Sequence, residues 1–198
     1  RAADTRLPQE VAGAGFVTSG TAAITERTTA ALTISQQSQK AILNWQSFNI
    51  GADASVTFKQ PDSSSAALNR ISRDSGPSEI LGRLSANGQV YLLNQNGIIF
   101  GGGAVVDTHS LIASTINISD KVFNDGYTDV INQPGNPAAF DSGTAGATGY
   151  VRVETGALLQ SKEGGQIMLF APTVENAGEI NTPGGQAILA ASTTKVYL

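Results

Sequence analysis

The sequence contains no cysteine and only one histidine, one tryptophan and one methionine among its 198 residues. The absence of cysteine excludes disulfides and thiol chemistry, although it fits both a reducing compartment and a secreted chain without cross-links. A single histidine also leaves the chain without the nitrogen and sulfur ligands that zinc sites use. We therefore expect no metal centre and no cofactor.

Charge and long apolar runs are scarce as well. Charged residues make up 14% of the chain, its formal net charge is −4, and its 12 lysines and arginines form no cluster in the sequence. A nucleic-acid partner is therefore not expected. No apolar run approaches the roughly 18 to 20 residues of a membrane-spanning helix, and residues 1–4 lack the layout of a signal peptide. We expect no membrane span and a signal peptide that has already been removed.

The residues that are abundant favour strands and turns. The chain has 22 glycines and is 40% apolar, and short apolar segments with β-branched and aromatic members alternate with Gly, Asn and Ser. Residues 66–71 fit either a helical turn or a strand. Residues 132–149 are rich in Pro, Gly, Asn, Ala and Thr, which predicts a surface loop.

Internal repeats indicate how these strands are arranged. Residues 164–171 align with 184–191 at a step of 20, a looser pair around Gly156 and Gly178 is 22 residues apart, and residues 88–92 repeat the Gly-Gln-apolar start. Short strands at this period are typical of stacked coils, each burying its inward face against the next at the ~4.8 Å strand spacing. We predict a parallel β-helix with Trp45, Phe48 and Ile50 in its core.

Six motifs follow one another in the first two thirds of the chain. In order, they are Asn44-Trp45-Gln46-Ser47-Phe48-Asn49-Ile50-Gly51, Val56-x-Phe58-x-Gln60-Pro61, Leu68-Asn69-Arg70-Ile71, Ile80-x-Gly82-x-Leu84-x-Ala86-Asn87-Gly88-Gln89-Val90, Asn94-x-Asn96-Gly97-Ile98-x-Phe100-Gly101 and Leu111-x-Ala113-Ser114-Thr115. This succession resembles the N-terminal two-partner secretion (TPS) domain of the filamentous-haemagglutinin family of exoproteins.

The resemblance implies an all-β fold, a right-handed parallel β-helix with an N-terminal cap and small extra-helical β-sheets. On this basis residues 1–198 form a single domain of a much larger exoprotein. We expect a cap over 1–35, coils with extra-helical elements over 36–131, a loop excursion over 132–149 and regular coils over 150–198.

The resemblance also implies a function and a partner. Such domains are recognised in the bacterial periplasm by the POTRA domains of a dedicated outer-membrane barrel transporter, and the exported protein is secreted or held at the cell surface. The exoprotein would be of the adhesin, haemagglutinin, haemolysin or contact-dependent inhibition type. We expect a monomer that is not an enzyme and that nucleates β-helix folding outside the cell.

The residues singled out by the resemblance have two open roles. Asn94, Gln95, Asn96 and Gly97 either shape a tight corner or contact the transporter, and Gln95 stands where the family usually has proline. The set Gln60, Asn69 and Arg70 either forms hydrogen bonds in the cap or contacts the partner. Asp62 replaces the asparagine that is commoner after Gln60-Pro61.

Two other function classes remain as alternatives. A β-helical glycan lyase or hydrolase would need acidic residues on successive coils, but no repeated pattern is present in Asp120, Asp125, Asp129 and Asp141. His109 lies beside Asp107 and Ser110, yet no Gly-x-Ser-x-Gly accompanies them, so we expect no serine triad. The other alternative is an adhesin module that binds carbohydrate directly.

Overall fold

The computed structural model describes residues 1–126, 132–135 and 137–198. Within these residues there are 21 strands, one short 3-10 helix at Gly13–Gly15 and one α-helix, α1, at Asp120–Asp125. The strands are β1 (Gln9–Glu10), β2 (Val17–Ser19), β3 (Ala22–Arg27), β4 (Ala31–Gln36), β5 (Lys40–Ser47), β6 (Ser55–Lys59), β7 (Ala66–Ile71), β8 (Ser78–Ile80), β9 (Arg83–Ala86), β10 (Gln89–Leu93), β11 (Ile98–Phe100), β12 (Val105–Thr108), β13 (Ser110–Ser114), β14 (Phe140–Asp141), β15 (Tyr150–Val153), β16 (Leu158–Ser161), β17 (Gln166–Ala171), β18 (Thr173–Asn176), β19 (Glu179–Asn181), β20 (Gln186–Ala191) and β21 (Lys195–Val196).

Three parallel sheets wrap around a common core. The first sheet stacks β5, β7, β10, β13, β17 and β20; the second stacks β4, β6, β9, β12, β16 and β19; the third stacks β8, β11, β15 and β18. The chain passes from the second sheet to the first and then to the third before it returns one level further along. This arrangement is a β-helix, so the predicted fold class is confirmed.

The strand register explains the repeats in the sequence. Gln166 pairs with Gln186 and Ala171 with Ala191, which is the step of 20, and the Gly-Gln start at residue 88 leads into β10 of the same sheet. In the looser repeat near Gly156, the sequence separation of paired residues is not constant. Val151 pairs with Val174, 23 residues later, whereas Leu159 pairs with Ile180, 21 residues later. Residues 66–71 form strand β7 between β5 and β10, which excludes the helical turn.

The core runs along the axis of the stack. Trp45, Phe48 and Ile50 are 0 to 1% exposed, as predicted. The indole of Trp45 meets Phe48 edge to face at 5.3 Å and Phe16 of the N-terminal segment at 4.9 Å. Burial of each such side chain stabilises the fold by about 1.5–3 kcal/mol, so these aromatic rings fasten the N-terminal segment to the first coils.

The N-terminal strands cover one end of the stack. They pair antiparallel with the first coil, β1 and β2 with β5 and β3 with β4, whereas β4 is already parallel to β6. An open parallel edge is a template for pairing with another chain. The antiparallel strands therefore act as a cap at this end.

A second apolar cluster covers the outer face of the first sheet. Phe123 of α1 and Phe140 of β14 pack onto outward side chains of the sheet, with ring contacts to Tyr91 at 5.2 Å and to Phe170 at 5.0 Å. The segment expected to be a surface loop thus contains a short strand, in which Phe140 is buried and Asp141 is exposed. Strand β21, in the region expected to form regular coils, instead pairs antiparallel with β14 outside the stack.

Candidate functional site

Asn94 forms the corner between the first and third sheets. Its side chain is 0% exposed. The Oδ1 atom accepts a hydrogen bond from the backbone N–H of Asn96 at 2.9 Å, while Nδ2 donates to the carbonyl of Gly76 at 3.1 Å and to Oγ of Ser78 at 2.9 Å. The amide therefore closes its own turn and binds the preceding coil at the same time.

The rest of this corner completes the turn. The backbone N–H of Gly97 donates to the carbonyl of Asn94 at 3.1 Å, and the φ of Gly97 is +124°, which side-chain-bearing residues rarely adopt. Asn96 is half-buried and donates from Nδ2 to the carbonyl of Arg73 at 2.9 Å. The turn forms with Gln95 in the usual place of proline, so a fixed φ at that position is not required.

Gln60 occupies a different corner, between the second and first sheets, and is 8% exposed. Its Nε2 donates to Oε1 of Gln36 in the previous coil and to the carbonyl of Gln89 in the next, both at 3.1 Å, and its Oε1 accepts from the N–H of Gly88 at 3.0 Å. Asn87 exchanges two 2.8 Å hydrogen bonds with the backbone of Gln60. Gln60 is thus a bridge between three successive coils.

Asn69 points into the core from β7 and is 0% exposed. Its Oδ1 accepts from the indole Nε1 of Trp45 at 2.9 Å, and its Nδ2 donates to the carbonyl of Tyr91 at 3.1 Å. A buried indole N–H and a buried amide both cost free energy when unpaired. The Asn-Trp pair therefore locks the first coils in register.

Arg70 is adjacent in sequence but lies on the outer face of the first sheet. Its guanidinium pairs with Asp120 at the start of α1 and donates to the carbonyl of Ile118. At the other end of α1, Nζ of Lys40 donates to the carbonyls of Phe123 and Asn124 at 2.9 Å. A carboxylate at the N-terminus and a cation at the C-terminus suit the helix dipole, so both side chains hold α1 on the sheet.

The loop after Gln60 contains Asp62, whose carboxylate is held by hydrogen bonds. Its Oδ1 accepts from the hydroxyl of Ser64 at 2.7 Å and from the backbone N–H of Ser64 at 2.9 Å, and its Oδ2 accepts from Nε2 of Gln39 at 2.9 Å. These hydrogen bonds, led by the Ser64 hydroxyl and then Gln39, lower the pKa of Asp62 to about 2. An asparagine oxygen could accept the bonds from Ser64 in the same way, but the bond from Gln39 needs the second acceptor oxygen that the carboxylate supplies.

The motif residues are not assembled into one exposed surface. Asn94, Gln60 and Asn69 lie in two different corners and in the core, and every one has its amide paired inside the fold. Gln95, Asn96 and Arg70 are half-buried, and the guanidinium of Arg70 is paired with Asp120 of α1. The sequence analysis did not identify Gln36, whose side chain accepts a hydrogen bond from Gln60 of the next coil.

Comparison with known proteins agrees with this geometry. A family model described as the TPS secretion domain matches residues 12–197. The chain belongs to the TPS secretion domain family. The crystal structure of the HMW1 secretion domain from Haemophilus influenzae superposes with a TM-score of 0.75 at 30% identity, covering 90% of this chain and 44% of that one.

Two proteins named heme/hemopexin-binding protein are similar to parts of this TPS domain. One, from Haemophilus influenzae, is 43% identical over 96 residues, which is 48% of this chain and 10% of that protein. The other, from Haemophilus influenzae strain ATCC 51907, is 44% identical over 84 residues, or 42% of this chain and 9% of that protein. The matches therefore span about a tenth of those relatives. Proteins of this family are generally secreted or surface-exposed.

The catalytic candidates in the TPS domain do not form a site. Oγ of Ser110 lies 3.3 Å from Nδ1 of its neighbour His109, but it is 5% exposed and accepts a hydrogen bond from the backbone N–H of Gln166 at 3.0 Å. The carboxylate of Asp107 pairs with Lys162, whose Nζ is 2.9 Å from Oδ1 of Asp107. Each of the described candidate acids has a cationic neighbour: Asp120 pairs with Arg70, Asp125 with Lys121 and Asp141 with Lys195. Asp129 lies outside the described residues. TPS secretion domains are non-catalytic targeting domains.

The described residues of the TPS domain contain neither a membrane-spanning helix nor a cluster of metal-ligating side chains. None of its helices is long and apolar enough to cross a membrane. Over the same residues, no three His, Cys, Asp or Glu side chains are grouped closely enough to hold a metal ion.

Proposed function

We propose that this domain targets a large bacterial exoprotein for export, through recognition in the periplasm by the POTRA domains of its cognate outer-membrane barrel transporter. The observation that carries the proposal is the match of the TPS family over residues 12–197. The exoprotein is of the adhesin, haemagglutinin, haemolysin or contact-dependent inhibition type, and the domain acts as a monomer on its way to the cell surface or the medium.

The burial of the motif residues indicates when recognition takes place. Asn94 and Asn69 are 0% exposed and Gln60 is 8% exposed, and their amides are paired within the fold. A transporter can read these side chains directly only while the coils are open. The transporter therefore recognises the motif residues while the chain is unfolded or partly folded. After export, the same residues set the corners of the β-helix.

The topology supports folding that proceeds from the cap outward. The antiparallel strands block one end of the stack, while β18, β19 and β20 terminate the three sheets at the other end. Each parallel pair joins strands about twenty or more residues apart in sequence, and such non-local pairing is slow. Slow pairing keeps the chain exportable, and the capped first coil then serves as the template on which later coils grow.

Export reconstituted in a bacterial host tests this function. The domain, preceded by a signal peptide, is co-expressed with its cognate outer-membrane transporter, or with the same transporter lacking its POTRA domains. We expect the domain in the medium only with the intact transporter. Equal release with the truncated transporter, or retention in the periplasm with the intact one, would contradict the proposal.

A further inference from the structure

The outer face of the second sheet carries a ladder of hydrogen-bonding side chains. Neighbouring strands align one polar residue each across six levels, from β4 to β19. In order along the stack, they are Thr33, Thr57, Ser85, Asp107, Gln160 and Asn181. Unlike the outer face of the first sheet, which the second apolar cluster covers, this face leaves its ladder half-buried or exposed.

A groove of about 520 Å³ follows this ladder from β6 to Lys162, the residue after β16. It is lined by Lys59, Arg83 and Lys162 together with the hydroxyl and amide groups of Thr57, Ser85 and Asn87. At the usual strand spacing of ~4.8 Å, the four strands place the outermost cations about 14 Å apart along the stack. The cations are distant in the sequence, and the register of the coils brings them together.

The charge of the groove is opposite to that of the chain. Asp107 is its one carboxylate, 2.9 Å from Nζ of Lys162 and 3.7 Å from Nη2 of Arg83. Lys59 is exposed and forms no ion pair within the described part of the chain. Three cations and one carboxylate give the groove two net positive charges, whereas the chain carries −4.

We propose that this groove binds a sparsely charged acidic glycan, lying along the stack with its carboxylates on the cations and its hydroxyls on the polar ladder. Extended glycans advance by about one strand spacing per sugar, so successive sugars meet successive levels. Nucleic acid is disfavoured because single strands bind through exposed aromatic rings, and Phe58, the aromatic ring at the groove, is 1% exposed. Glycan binding is separate from export.

The test measures fluorescence anisotropy of a labelled hyaluronan decasaccharide, which has a carboxylate on alternate sugars, at low ionic strength. Because exposed ion pairs contribute modestly, Lys59→Gln should weaken binding about two- to fivefold and Lys59→Gln/Lys162→Gln about five- to tenfold. Asp107→Asn should tighten binding about two- to fivefold, since it frees Arg83 and Lys162. Arg73→Gln, an exposed cation outside the groove, should leave binding unchanged.

Circular dichroism and melting temperature confirm that each variant is folded. The proposal is overturned if the decasaccharide does not bind up to millimolar protein, or if a neutral maltodecaose binds equally well. Tighter binding of a ten-nucleotide oligothymidine, reduced by the same substitutions, would assign the groove to nucleic acid instead. Loss of transporter-dependent export in Lys59→Gln/Lys162→Gln, without a change in glycan binding, would assign it to the transporter.

Discussion

Replacing Asn94 by alanine should destabilise the domain much more than replacing Asn96, although both belong to the same short motif. Asn94→Ala removes three side-chain hydrogen bonds, including one to Ser78, whose side chain is 2% exposed and would lose a partner. Net contributions of about 1 kcal/mol per hydrogen bond, with a further cost for a buried group left unpaired, give about 2–4 kcal/mol. Asn96→Ala removes one exposed hydrogen bond and should cost about 0.5–1 kcal/mol.

Urea unfolding followed by circular dichroism measures both values. A loss of 2–4 kcal/mol is a large part of the roughly 5–15 kcal/mol that stabilises a typical domain, so the midpoint for Asn94→Ala should fall clearly below that for Asn96→Ala. Asn94→Asp keeps the acceptor for the Asn96 N–H but buries a carboxylate beside the carbonyl of Gly76, so it should also be less stable than Asn96→Ala. If Asn94→Ala is no less stable than Asn96→Ala, the structural role assigned to this corner is wrong.

Three further predictions follow from the same contacts. Asn69→Leu should cost about 2–4 kcal/mol because it orphans the buried indole N–H of the sole tryptophan; unfolding followed by tryptophan fluorescence measures this, and an unchanged midpoint contradicts it. Arg70→Gln with Lys40→Gln should raise hydrogen exchange in α1 several-fold while the coils stay protected, and equal exchange would show that neither side chain holds the helix. The pKa values of Asp4, which pairs with Arg6, and of Asp62 are lowered from 3.8 to about 2. As the pH falls, these two carboxylates are protonated in the unfolded chain before they are protonated in the folded domain. Their contribution to the free energy of unfolding should therefore be constant above about pH 4 and decrease toward pH 2. Thermal melts across this range should show a shallower fall for Asp4→Asn/Asp62→Asn, and an identical fall would refute the assignment.

The coils could be predicted from the sequence because their signals are local. The Gly-Gln starts before β10, β17 and β20 mark equivalent positions, and the register confirms the 20-residue step between the last two. The motif residues could also be named in advance, but not their roles. Whether Asn94 faces a partner or the preceding coil depends on which loop the stack places beside it, and here that loop holds Gly76.

The packing of α1 and β14 onto the outer face of the first sheet could not be predicted from local patterns. Arg70 meets Asp120 across 50 residues of sequence, and Lys40 reaches Phe123 across 83. One signal was available, because the uninterrupted apolar runs in β10 and β17 indicate strands buried on both faces. The cationic groove was missed for a related reason, since its lysines and arginine become neighbours only through the register of the second sheet.

Transporter binding during folding tests the central claim most directly. The domain is diluted from denaturant into buffer, and its binding to the purified POTRA domains of the cognate transporter is measured at increasing delays. We predict strong binding immediately after dilution that declines at the rate at which circular dichroism reports folding, because Asn94, Asn69 and Gln60 become buried. Binding that is absent at first and grows as the β-helix forms would contradict recognition of the unfolded chain.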